Sequence, residues 1–76
     1  MATAESCTAG LVAGTLTEIP GVSSILDRGF ITYSNQAKQD MIGVSAATLA
    51  PRGPVSGQTA EEMARGALAH APVDLA

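Results

Sequence analysis

Small side chains supply much of the apolar content of this 76-residue chain, and that limits the hydrophobic core it can build. Hydrophobic residues make up 46% of the chain, but many of them are alanine, and only Phe30 and Tyr33 are aromatic. A chain this short buries only about 60% of the surface that its unfolded form exposes. Small domains usually compensate with disulfides, metals or oligomerisation. The sequence therefore predicts one domain over residues 1–76, with a weak core and a need for a partner surface.

Two of those compensating devices are excluded by residue counts. Cys7 is the single cysteine, so no internal disulfide can form. His70 is the single histidine, and together with one cysteine it cannot supply a four-ligand zinc site of the usual kind. We therefore expect no zinc site of this kind, and a partner surface remains as the way to add buried surface.

The charge pattern argues against two classes of partner. The net charge is −3 with a pI near 4.7, and the four cations are scattered without forming a basic stripe, so nucleic acid is not an expected partner. No segment approaches the roughly 20 apolar residues that span a bilayer, and no signal peptide is visible. The sequence predicts a cytoplasmic protein with a reduced thiol and no membrane contact.

The first third of the chain predicts a helix preceded by very little strand. Leu11, Val12 and Leu16 fit one helical face, Ser6 or Thr8 could cap that helix, and Pro20-Gly21 stops it. The strand that an α/β fold would place before Ser6 is almost absent.

A strand and two short helices are predicted next. Residues 24–33 are rich in β-forming residues, most clearly Phe30 to Tyr33, and Gly29 suggests a bulge or a close backbone approach. Ser34-Asn35 offers a cap for a helix over residues 36–42 that closes at Gly43. A further turn of helix over residues 45–50 is expected to break at residues 51–54, which include two prolines.

The last helix is the best defined. Thr59 with Glu62 matches a capping box, and Ser56 is a second candidate cap. Pro72 ends the helix, and residues 73–76 look like the opening of another strand. This order of elements predicts an α/β fold, a layered α/β/α arrangement with few strands.

Ser6 is the first candidate for chemistry. A serine beside a helix start can attack a carbonyl while nearby amides hold the developing oxyanion, provided that a base activates it. The competing interpretation makes Ser6 only a helix cap. His70 is the one histidine that could serve as base, but its place at the end of the last helix is also typical of a surface residue.

Lys38 is the alternative base and the only lysine in the chain. It follows the predicted strand at the start of a helix, where α/β folds place ligands, and Ser34 lies one helical turn before it. Tyr33 could relay a proton or orient the pair. The competing interpretations are a surface lysine and a core aromatic residue. Cys7 is a rival nucleophile, or a small buried residue.

Three motifs together support the serine–lysine hypothesis more strongly than the separate residues do. They are Ala-Glu-Ser-Cys-Thr-Ala-Gly at residues 4–10, Arg-Gly-Phe-Ile-Thr-Tyr-Ser-Asn-Gln-Ala-Lys at residues 28–38, and Gly-Pro-Val-Ser at residues 53–56. In this order and spacing they resemble the CinA C-terminal domain family, also called PncC or nicotinamide-nucleotide amidase. The similarity runs over essentially the whole chain.

The resemblance implies hydrolysis of nicotinamide mononucleotide to nicotinic acid mononucleotide and ammonia, without a metal or cofactor. It implies Ser6 as nucleophile, with Tyr33 and Lys38 as its catalytic partners. The physics of helix starts adds Thr8, Ala9 and Gly10 as oxyanion or phosphate donors, and Asn35 of the second motif is expected to contact the substrate. The implied partners are a small nucleotide and further copies of the chain.

The sequence departs from the family pattern in ways that keep other functions open. The family usually has Gly-Gly where this chain has Ala9-Gly10, and it extends at both ends, with a helix and a strand before the serine motif and a glycine-rich loop after residue 76. The chain is thus expected to be a partial amidase domain. One alternative is an inactive remnant, or an interaction module that pairs with a longer relative. Another is a small nucleotide-binding domain that uses only residues 6–10.

Overall fold

The structure is a computed structural model that describes all residues from Met1 to Ala76. Two parallel strands and four α-helices form the fold, with one 3-10 turn in the first crossover. In chain order these are β1 (Ala2–Glu5), α1 (Leu11–Leu16), the 3-10 turn (Val22–Ser24), β2 (Arg28–Ile31), α2 (Asn35–Ile42), α3 (Ala46–Arg52) and α4 (Gly57–His70).

The strands carry helices on both of their faces. Strands β1 and β2 pair in parallel, with Ala2 opposite Arg28 and Glu5 opposite Ile31. Successive strand residues point to opposite faces of a sheet. Ala4 packs against the main core, whereas the Glu5 carboxylate bonds to the start of α1. The predicted layered α/β/α class is therefore confirmed.

The expectation that almost no strand precedes Ser6 was wrong. Residues 2–5 form β1, although Ala-Thr-Ala-Glu contains a single β-branched residue, Thr3. Pairing with β2 and contact with α4 stabilise this strand, so tertiary packing outweighs a weak local propensity. Ala2 also donates to the Leu75 carbonyl at 2.9 Å, yet residues 73–76, predicted to open a strand, are not strand in the structure.

The first helix begins later than expected. Helix α1 starts at Leu11, and its cap residue is Gly10 with φ of 99° and no side-chain cap. Ser6 and Thr8 therefore do not cap it, because residues 6–10 form a turn between β1 and the helix. The carboxylate of Glu5 replaces a local cap by accepting from the amides of Val12 and Ala13.

Strand β2 ends before Tyr33, which was predicted to lie within it. Gly29 allows β2 to lie close to Thr3 of β1, because a Cβ built on Gly29 would lie 2.7 Å from the Thr3 hydroxyl oxygen. The prediction of a close backbone approach at Gly29 is thus confirmed.

Local caps bound both middle helices, and those of α2 were predicted. The Ser34 hydroxyl accepts from the Ala37 amide, and Gly43 closes α2 with φ of 68°. Ser45 caps α3. Pro51 does not break that helix as expected, since it lies in the last turn and costs one hydrogen bond of an element that ends at Arg52 in any case.

Helix α4 begins at the second of its two candidate caps. The Ser56 hydroxyl accepts from the Thr59 amide at 3.0 Å, whereas the Thr59 hydroxyl donates to the Gly53 carbonyl. Helix α4 crosses α2 so closely that a Cβ on Gly66 would lie 1.9 Å from the Ile42 carbonyl oxygen.

The hydrophobic core is small, as the composition predicts. Ala4 and Phe30 pack against its four buried side chains. These are Ile42, Val44, Leu49 and Met63. Many large apolar side chains stay exposed, among them Leu11, Ile19, Ile25, Val55 and Leu75. None of the helices combines the length and the apolar character needed to cross a bilayer.

Candidate active site

Ser6 and Lys38 lie together at the carboxyl end of β1. Ser6 is the first residue after the strand, and Lys38 reaches it from the first turns of α2. The Lys38 amine donates a hydrogen bond to the Ser6 hydroxyl oxygen, with 2.9 Å between Nζ and Oγ. A serine within hydrogen-bond reach of a basic side chain is the arrangement that nucleophilic catalysis requires.

The side chain of Lys38 is completely buried. Its amine has two partners, the Ser6 hydroxyl and the Thr32 carbonyl, which accepts at 2.7 Å. No carboxylate pairs with it, since the ion pairs of the molecule are Arg28–Asp27 and Arg65–Glu61. Buried polar groups are almost always hydrogen-bonded, and these two oxygens are the partners that hold the buried amine against Ser6.

Thr32 is a site residue that the sequence did not indicate. It is fully buried just after β2, its amide donates to the Glu5 carbonyl at 2.8 Å, and its own carbonyl orients the Lys38 amine. A backbone carbonyl leaves no trace in the residue type. The available signal was topological, because the carboxyl ends of parallel strands meet at one edge of a sheet.

Glu5 is the second missed residue. Its carboxylate is 4% exposed and accepts five hydrogen bonds, which come from Thr3, Thr8, Gly10, Val12 and Ala13. Burial alone raises the pKa of this carboxyl, but the hydrogen bonds, led by that of the Ala13 amide, outweigh burial and lower the pKa from 4.5 to about 2. Glu5 is therefore charged at neutral pH.

The three residues expected to bind substrate through backbone amides lie in the turn after Ser6. The Gly10 amide donates to Glu5 at 3.2 Å, and the Thr8 hydroxyl donates to the same oxygen at 2.7 Å. Ala9 has a positive φ of 51°. The amides of Cys7 and Thr8 make no hydrogen bond, so these two donors next to Ser6 are free.

Tyr33 and Asn35 follow β2 as exposed residues and do not join the hydrogen bonds of the site. The side chain of Tyr33 is 72% exposed, and its hydroxyl has no hydrogen-bond partner. Asn35 is the exposed first residue of α2. The structure thus brings Ser6 and Lys38 together but does not connect either residue to Tyr33 or Asn35.

The other two candidate side chains, Cys7 and His70, make no hydrogen bond to Ser6 or Lys38. Cys7 is an exposed free thiol rather than a buried residue. A ring nitrogen of His70 lies 2.7 Å from the Gly66 carbonyl oxygen of its own helix, so this histidine is not the partner of Ser6. No three metal-ligating side chains converge on one point.

Fold and site together define an α/β protein with a serine at the carboxyl edge of a parallel sheet, hydrogen-bonded to a buried lysine. The chain matches the CinA C-terminal domain over residues 1–76. It belongs to that family.

Named relatives support the assignment. The nicotinamide-nucleotide amidohydrolase PncC of Escherichia coli K12 is 55% identical over 74 residues, which cover 97% of this chain and 45% of the relative. The protein of the same name from Enterobacter agglomerans is 53% identical over 73 residues, covering 96% and 44%. A CinA-like protein of Chloroherpeton thalassium is 54% identical over the whole chain but is matched over 18% of its own length.

Solved structures share the fold. The competence/damage inducible protein CihA of Agrobacterium tumefaciens superposes with a TM-score of 0.91 at 58% identity, covering 95% of this chain and 44% of that one. A CinA superfamily protein of Escherichia coli gives 0.92 at 38% identity, covering 96% and 42%. The chain thus spans less than half the length of each of these relatives.

Proposed function

We propose that this chain carries the serine–lysine pair of an amidase that hydrolyses nicotinamide mononucleotide to nicotinic acid mononucleotide and ammonia. The observation that carries the proposal is the hydrogen bond of 2.9 Å between the buried Lys38 amine and the Ser6 hydroxyl. The names of two relatives above half identity supply the substrate class, a small nucleotide carrying a carboxamide.

The reaction divides into two displacements at one carbon. Lys38 takes the hydroxyl proton as Ser6 Oγ bonds to the carboxamide carbon. The carbon–nitrogen bond then breaks, and the proton passes from Lys38 to the leaving nitrogen, which departs as ammonia. Water attacks the resulting ester and gives a proton to Lys38, and that proton returns to Ser6 as the carboxylic acid leaves.

Backbone amides next to Ser6 would hold the developing oxyanion. The free amides of Cys7 and Thr8 suit this role, because no group of the protein occupies them. The Gly10 amide suits it less, since Glu5 already accepts from it. The Ala9 amide is also occupied, because it donates to the Ser6 carbonyl at 3.0 Å. We therefore replace the expected donors, residues 8–10, by residues 7–8.

Tyr33 and Asn35 remain proposed contacts of the substrate. Both are exposed beside the end of β2 that holds Lys38 in place, and the hydroxyl of Tyr33 is free to meet a ligand. In this proposal Tyr33 assists the proton transfer once the substrate is bound, and Asn35 contacts the nucleotide.

We further propose a homo-oligomer in the cytoplasm. Exposed apolar side chains on α1 and its following turn, Leu11 at 71% and Ile19 at 56%, would be covered by another copy. The exposed free thiol of Cys7 fits a reducing compartment.

Ammonia release from nicotinamide mononucleotide by the purified 76-residue chain tests the amidase proposal. Ser6→Ala and Lys38→Met should each lower the rate at least about 1,000-fold, because nucleophile and base act as a unit. Ser23→Ala is the matched control, since Ser23 is exposed and makes no hydrogen bond. Release that persists in Ser6→Ala would contradict the mechanism.

A non-enzymatic module is the second candidate function. The exposed apolar side chains favour it, together with β1, whose second edge receives a single backbone bond, from Ala2 to Leu75. A chain that is folded by circular dichroism, releases no ammonia and binds a longer relative would favour the module. Retention of nucleotide by Ser6→Ala and Lys38→Ala chains would favour nucleotide binding alone.

A further inference from the structure

The carboxylate of Glu5 lies directly before the nucleophile and takes no part in the chemistry proposed above. It is buried and accepts five hydrogen bonds, a larger set than any other side chain in the molecule receives. We propose that Glu5 is a positioning residue that holds Ser6 against the Lys38 amine. This inference rests on the proposed function of that pair.

The first part of the argument concerns the turn that carries Ser6. This turn, residues 6–10, joins β1 to α1. One carboxylate oxygen accepts from the Thr8 hydroxyl at 2.7 Å and the Val12 amide at 2.8 Å, and the other accepts from the Ala13 amide at 3.0 Å. Glu5 therefore binds the middle of the turn and the helix beyond it, which fixes the path of the chain through Ser6.

The second part concerns the base. The backbone carbonyl of Glu5 accepts from the Thr32 amide at 2.8 Å, and the Thr32 carbonyl accepts from the Lys38 amine at 2.7 Å. Glu5 is thus bonded through its side chain to the segment that carries the nucleophile and through its backbone to the residue that orients the base. A displacement of about 1 Å in such a pair can lower a rate about 100-fold.

A helix-capping role alone would predict a different outcome. A carboxylate at a helix start is stabilising wherever it occurs, so its loss would lower stability without changing how residue 6 meets Lys38. Glu62 offers the matched control, because it too accepts several hydrogen bonds, from Ser45, Thr48 and Gln58. None of those partners bonds to Ser6 or Lys38.

A thiol in place of the nucleophile reports on the pair without any amidase activity. The probe is the full chain with Ser6→Cys and Cys7→Ala, and the measurement is the rate of alkylation by iodoacetamide against pH. Lys38 would take the thiol proton as it is proposed to take that of Ser6, and the ammonium that results favours the thiolate. Lys38→Met should therefore slow alkylation about tenfold at about pH 7, the effect of roughly one pH unit in the midpoint of the rate profile. Lys38 is the titratable group hydrogen-bonded to residue 6, and the Glu5 carboxylate is bonded to the turn that carries residue 6.

Glu5→Gln in the probe chain should slow alkylation nearly as much as Lys38→Met, and Glu62→Gln should leave the rate within about twofold. A folded Glu5→Gln chain whose alkylation rate depends on pH as in the parent probe would overturn the proposal. Glu5 would then act only as a helix cap. Should Glu5→Gln not fold, Thr3→Val decides, because it removes one of the five bonds; an intermediate shift supports positioning, and no shift overturns it. No effect of Lys38→Met would instead show that the pair itself is uncoupled, which would overturn the amidase mechanism and this inference with it.

Discussion

Ala9 occupies a backbone conformation that suits glycine. Its φ is 51°, and it is the only residue other than glycine with a positive φ. The left-handed region costs a residue with a Cβ roughly 1–2 kcal/mol. The sequence pattern had already marked this position, because the resembling family usually has glycine there.

Ala9→Gly should accordingly raise the free energy of unfolding by about 1 kcal/mol, since relief of the positive φ outweighs the added freedom of the unfolded chain. Urea denaturation followed by circular dichroism measures the change. The control is Ala60→Gly in the exposed part of α4, which should lower stability by up to about 1 kcal/mol. A loss of stability in both variants would contradict the strain assigned to Ala9.

At the scale of elements, the crossing of α2 and α4 depends on one missing side chain. A Cβ on Gly66 would lie 1.9 Å from the Ile42 carbonyl oxygen, and backbone cannot move aside as a flexible side chain can. Both residues are buried, and Ile42 belongs to the core.

Gly66→Ala should therefore destabilise the fold by several kcal/mol, about 3 or more, because the helices must separate and open the core. Gly14→Ala in α1 is the matched control, since a Cβ there meets nothing within 4 Å and should stabilise its helix by up to about 1 kcal/mol. Thermal unfolding of the two variants gives the comparison. A Gly66→Ala chain as stable as the parent would mean that the helices do not cross as described.

Elements defined by adjacent residues could be predicted from the sequence, and those defined by distant contacts could not. Ser34 and Gly43 bound α2 through caps that lie within a few residues of it. The start of α1 could not be read this way, because its amides bond to a carboxylate of the preceding strand. The same limit applies to the site, where Ser6 and Lys38 were visible as residue types but the Thr32 carbonyl was not.

At the scale of the whole molecule, two carboxylates tie stability to pH. The pKa of Glu5 is lowered to about 2, and so is that of Glu62, chiefly by the Thr48 hydroxyl and then by the Ser45 amide. A carboxyl whose pKa is lower in the folded chain stabilises it above the unfolded value, 4.5, and loses that effect as the pH falls towards about 2.

The urea concentration that unfolds half of the chain should thus fall steeply as the pH is lowered from about 5 to about 2.5. Glu62→Gln should flatten this decline, because an amide does not titrate, while its midpoint at neutral pH is lower than that of the parent. Equal declines in the parent and in Glu62→Gln would show that Glu62 does not contribute to acid unfolding.

The bond between Ser6 and Lys38 joins residues 32 positions apart. Closing a segment of that length costs about 3 kcal/mol or more of chain entropy, and the first crossover bears that cost when β1 pairs with β2. A molecule that contacts both side chains would therefore hold the two ends of this segment together and stabilise the folded arrangement between them. Because the core is small, a bound substrate or inhibitor would raise the free energy of unfolding appreciably. The ligand concentration would then help to set the fraction of the chain that is folded.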